Sequence, residues 1–189
     1  MPPRTSATDY QFHTTVGTAT MAAEFTGHSI PTAEGPLTNE DYVAVEVAFF
    51  GPTGAKLVIS SGDLSIRFNS KKSAQASIPY AGVFSTLKDP EYEPPEGSAP
   101  SGGKGGKTSL NSGGKQNSAD GPPAPVKIPV PVMRAMAERV RKAALPEGDR
   151  ALPQAGLVFF SYHGKTKNLQ SIELMYEGPA GKATLELVQ

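Results

Sequence analysis

The run 102–108 (GGKGGKT) comes closest in this sequence to a motif with known chemistry. A phosphate-binding loop needs a glycine, four residues and then Gly-Lys-Thr. It must hang between a strand and a helix, so that backbone N–H groups converge on phosphate oxygens. Here Ser101 stands where the first glycine belongs. Pro94, Pro95 and Pro100 precede it in place of a strand, and Ser112-Gly113-Gly114 follows in place of a helix. The run reads as a linker that contains lysines.

Three histidines, His13, His28 and His163, are scattered without ligand spacing. A fold that gathered them with Met21, Met133 or Met136 would make a soft copper site. The commoner fate of an isolated histidine is a surface or packing role. Glu91, Glu93 and Glu96 cluster among prolines, where nothing holds two carboxylates rigid as an acid–base pair. Arg134, Arg139, Arg141 and Lys142 stand against Glu138 in the one helical stretch. They suit either an anionic partner or, more simply, a solvated helix face near its C-terminus. No nucleophile elbow, zinc-protease helix or dinucleotide fingerprint occurs. The reading is a non-enzyme with no cofactor.

The elements that would position these residues are short strands. At the C-terminal end, 157–163 (LVFFSYH), 171–176 (SIELMY) and 182–188 (KATLELV) are strand-like. Ile172, Leu174 and Tyr176 alternate with polar neighbours, as do Ala183, Leu185 and Leu187, which marks half-buried strands. The first run is apolar on both faces and predicts a more central strand. Residues 178–181 (GPAG) predict a hairpin loop of about four residues. Earlier, Tyr10, Phe12 and His13 open a strand, and 18–25 gives a second with Ala19, Met21, Ala23 and Phe25 on one face. Residues 27–39 predict a loop. In 42–50 (YVAVEVAFF), Val43, Val45, Val47 and Phe49 face one way, Ala44, Glu46 and Ala48 the other. Runs 57–59 and 64–68 are further strands, and 83–87 suits a helical turn or a strand.

Residues 1–8 are expected to be a mobile arm. In 94–125, 19 of the 32 residues are Gly, Pro or Ser. Too little apolar surface is available there to offset ordering entropy, so the segment is expected to be a disordered loop. Residues 131–145 predict an amphipathic helix: Pro131 fits its first turn, and Met133, Met136, Ala137, Val140 and Ala144 recur at helical spacing. Pro146 and Gly148 end it. The stripe is expected to dock, with 157–160 as its preferred neighbour; the competing reading leaves Met133, Met136 and Val140 exposed as a candidate interaction surface. Residues 9–189 are thus read as one domain in which the loop and the helix interrupt a strand series.

Bulk composition narrows the classes further. Lys+Arg and Asp+Glu are 18 each, so net charge does not point to nucleic acid. There is no cysteine, which removes disulfides and thiolate sites. No run reaches the ~18 apolar residues of a membrane span, and 1–6 (MPPRTS) has no signal-peptide core. Gly 20 and Pro 18 fit a chain of many turns.

Four segments, 40–50 (EDYVAVEVAFF), 58–68 (VISSGDLSIRF), 156–160 and 171–176, resemble the immunoglobulin-like domains of bacterial secreted antigens and lipoproteins. The long insertion and its helix depart from that pattern. The resemblance implies an antiparallel β-sandwich with one late helix, and an extracytoplasmic location in periplasm, cell surface or medium. It also implies a binding module whose partner is another protein or a cell-envelope component. The alternative is a periplasmic ligand- or copper-binding carrier on the same sandwich.

Overall fold

The computed structural model of the chain describes residues 1–92 and 128–187. The loop expected over 94–125, its lysine run, Glu93 and Glu96 lie outside them. Among these residues the fold is mainly β, with several antiparallel sheets and one α-helix. A hairpin of β1 (Phe12–Val16) and β2 (Ala19–Gly27) opens it, turning at Gly17. Gly17 has φ +59°, and a Cβ there would sit 2.3 Å from the Ala180 carbonyl oxygen, so only glycine lets these two turns meet. Next come β3 (Ser29–Ile30), β4 (Leu37–Asn39), β5 (Tyr42–Phe50) and β6 (Lys56–Ile59). After β7 (Leu64–Phe68) and β8 (Gln75–Ala76), a 3-10 turn over Tyr80–Thr86 leads into β9 (Leu87–Lys88). The helix α1 (Val130–Ala143) precedes β10 (Gly148–Ala151), β11 (Gln154–Ser161), β12 (Ile172–Gly178) and β13 (Gly181–Glu186).

One sheet has the order β1-β2-β5-β11 and a second the order β13-β12-β7-β8. A single core draws side chains from both: Val45, Val47 and Val158 from the first, Ile66, Leu174 and Leu185 from the second. Phe49 and Tyr176 meet across it at 5.3 Å. Each such side chain contributes about 1.5–3 kcal/mol by leaving water. The alternation in β5 sorts as the sequence predicts, with Val43, Val45, Val47 and Phe49 in this core. The other face is buried too, beneath α1 and the first ten residues. Ala44 and Ala48 are small because chain lies directly on them.

Several expectations are corrected. β11 is apolar on both faces yet ends its sheet. Burial on two faces, not a central position, sets its composition. Its outer edge is used by Ile78, whose N–H donates to the Phe159 carbonyl at 2.8 Å, and by Leu145, which donates to Leu157 at 3.0 Å. The expected loop 27–39 contains β3 and β4, which pair with each other and, through β4, with β9; Ile30 and Leu37 are buried. Gly148, expected only as a helix stop, begins β10, which pairs with β6. Gly178 pairs directly with Gly181, so the hairpin loop is Pro179-Ala180, tighter than expected. Residues 4–10 lie against the first sheet, where Arg4 reaches Glu24 and Glu46.

The helix ends two residues earlier than expected, and its buried face takes in Ala143 and leaves out Met133. Met136, Val140 and Ala143 are buried beside Leu157 and Phe159, the neighbour that the apolarity of β11 suggested. No helix among the described residues is long and apolar enough to cross a membrane.

Candidate functional site

The residues with the most chemical potential meet where β11 ends beside the β4–β5 connection. Ser161 and His163 are two residues apart in sequence, so an extended backbone puts them on one side. The Tyr162 N–H donates to the Asp41 carbonyl at 2.9 Å, fastening this end of β11 to the start of β5. His163 Nδ1 lies 3.1 Å from Asp41 Oδ1, and Ser161 Oγ lies 3.4 Å from His163 Nε2. One tautomer serves both contacts: Nδ1–H donates to Asp41 while Nε2 accepts from the Ser161 hydroxyl. This is the connectivity of a Ser–His–Asp relay.

Asp41 is held in turn, its N–H donating to Asn39 Oδ1 at 2.9 Å. The hydrogen bond from His163 holds its carboxyl below the usual range. However, the His163 side chain is 69% exposed and the Ser–His contact is long. Water at the imidazole weakens the electrostatics on which such relays depend. What the arrangement does as built is orient two polar side chains at a corner of the fold. Nothing in the sequence pairs Asp41 with a residue 122 positions away; only the fold reveals it.

His28, next to this corner, is a structural tie. Its Nδ1 faces the carbonyl oxygens of Asn39 at 2.7 Å and Tyr42 at 2.9 Å, and its Nε2 faces that of Gly164 at 2.7 Å. All three partners are backbone carbonyls, so the one ring ties three backbone segments together. The other expected copper ligands are not brought to it. His13 is exposed on β1, Met21 lies in the main core and Met136 in the helix cluster. Among the described residues no three His, Asp or Glu side chains converge.

On α1, Met136 and Val140 are covered at 2% and 0% exposure, whereas Met133 is 45% exposed. The expected trio therefore does not form one accessible face. Val130 and Tyr80 are also exposed; Tyr80 belongs to the 3-10 turn packed beside α1, its ring tilted against Phe84 at 5.9 Å. Of the basic residues, Arg134, Arg141 and Lys142 face water. Arg139 turns inward, to Asp89 Oδ2 at 2.6 Å and the Gly35 carbonyl at 2.9 Å. A groove of about 620 Å³ runs between the end of α1 and β11. Its acid, Glu147, is already bound by the Ser61 N–H and hydroxyl.

No family model, curated protein or solved structure matches this chain. Function is therefore read from geometry.

Proposed function

We propose that the chain is a non-catalytic, extracytoplasmic binding module. In this reading the two four-stranded sheets are the layers of an immunoglobulin-like sandwich, and the outer side of α1 with its 3-10 turn takes a protein or cell-envelope component. One observation carries it: of the four large hydrophobics left exposed among the described residues, Val130, Met133 and Tyr80 belong to this layer. Apolar side chains left exposed along one layer, with arginines on the same helix, suit an interface. The open setting of Ser161 and His163 supports the absence of catalysis.

The test is capture of envelope components on immobilised chain, with Met133→Glu and Tyr80→Ser in parallel. Wild type should retain a component that both variants lose, while their melting temperatures stay the same. Equal retention sinks the surface. Ester hydrolysis abolished by Ser161→Ala sinks the non-catalytic reading. Fractionation of cells expressing the native gene checks the location.

A further inference from the structure

Residues 4–10 lie on the outer face of the first sheet in the way a bound peptide would. On that face Glu24 and Glu46 are directly opposite each other in the β2–β5 ladder. Like charges so placed repel, and a sequence under no other constraint avoids the pairing. Both carboxylates are met by one guanidinium. Arg4 Nη2 lies 2.7 Å from Glu24 Oε2 and 3.2 Å from Glu46 Oε2. Burial opposes the charge on Arg4, but Glu46 and then Glu24 more than offset it and hold its pKa above the ordinary value.

Beside the carboxylates is a second feature of a binding site. Ala22 is opposite Ala48 in one ladder and Ala155 is opposite Ala48 in the next. Three adjacent strands thus present methyl groups in a row, which makes a level slot on an otherwise bulky sheet. Tyr10 fills it, 3% exposed and edge-on to Phe50 at 6.0 Å. The Arg4 guanidinium sits over the Tyr10 ring, 4.4 Å from its centroid.

The arm holds to the sheet by side chains. Its backbone hydrogen bonds between residues 4 and 10 are internal, as in Asp9 N–H to Ser6 and Tyr10 N–H to Ala7, and no strand ladder joins residues 1–9 to β2 or β5. The Ser6 side chain and Asp9 cap the small 3-10 turn between the two anchors and preset their spacing. A shaped slot, a matched charge pair and an occupant without backbone pairing are the features of a ligand site, and they lie apart from the exposed side of α1.

We propose that this face is a binding site for a peptide segment carrying an arginine and, six residues later, an aromatic ring. The chain's own residues 4–10 occupy it as a tethered ligand, which a partner segment of that chemistry displaces. Tethering gives the arm a high effective concentration, so an incoming segment enters only when it binds more tightly or is itself held nearby.

The probe is a fluorescein-labelled peptide of residues 1–11, read by anisotropy against the full chain. Wild type should bind it weakly. Arg4→Ala, which frees the two carboxylates and leaves the arm held by Tyr10, should bind about tenfold more tightly, and adding Glu46→Gln should remove that gain. The same peptide with citrulline for arginine should not bind. An Arg4→Ala chain that ignores the peptide, or takes the citrulline form equally well, overturns the proposal. Should Arg4→Ala fail to fold, amide exchange of residues 4–10 in wild type decides. Faster exchange under excess peptide supports displacement, and unchanged exchange overturns it.

Discussion

Arg139 sits in a helix whose other cations face water, yet its side chain is only 11% exposed. Asp89, the Gly35 and Glu34 carbonyls and the Thr32 hydroxyl all accept from its guanidinium. A lysine has the charge without the fork, so Arg139→Lys should lose about 1–3 kcal/mol in urea unfolding. Arg141→Ala, exposed and paired among the described residues only with Glu138, should change stability by less than ~0.5 kcal/mol. Equal effects would show that Arg139 is no tie. A helical wheel cannot make this distinction, because period sorts residues by polarity while a long side chain at the stripe's margin can turn either way. A second residue adds a pH test. Burial, then the charge of Glu147, pushes the Asp63 carboxyl above its ordinary 3.8. The folded chain thus holds that proton more tightly than the unfolded chain. Stability falls as pH rises through the interval from 3.8 to the raised value, and is regained on acidification. Asp63→Asn should remove this slope and be at least as stable as wild type at pH 7; a less stable variant there contradicts the assignment.

Among the elements, α1 was legible as a helix, but its phase was not. The stripe read from Met133 through Ala144 weights every apolar residue alike, whereas the sheet below accepts Met136, Val140 and Ala143 and leaves Met133 outside. Met136→Ala and Val140→Ala should therefore each cost about 1–4 kcal/mol through lost burial and a residual cavity. Met133→Ala should cost less than ~0.5 kcal/mol. Denaturant midpoints check all three, and a costly Met133→Ala would mean the helix sits differently. The strands that the sequence missed share a cause. β3, β4 and β9 have two or three residues each, too few for a period to register. β10, Gly-Asp-Arg-Ala, is exposed throughout and so has no alternation to read. The corner of Asp41, Ser161 and His163 was illegible for another reason, since its partners come from segments distant in sequence.

At the scale of the whole molecule, the first sheet carries the load on both faces. It shares one core with the second sheet and β6, a second with α1, and a third with the arm. Within it, β5 is paired on both sides and buried from Val43 to Phe49, while β10 is paired only to β6 and exposed at all four residues. Amides of Val45 and Val47 should therefore exchange only when the whole domain opens, and those of Asp149 and Arg150 by local opening. Native-state hydrogen exchange at low denaturant measures both. The same experiment on Met136→Ala tests whether the layers form one cooperative unit. Met136 touches neither Val45 nor Val47 in its cluster, but it shares Ala44 and Phe159 with the sheet that contains them. If the layers unfold together, the variant should lower protection at Val45 and Val47 by its full loss of global stability and leave β10 as it was. If instead α1 loosens while β5 keeps its wild-type protection, the helix layer is a separate unit resting on an independently stable pair of sheets.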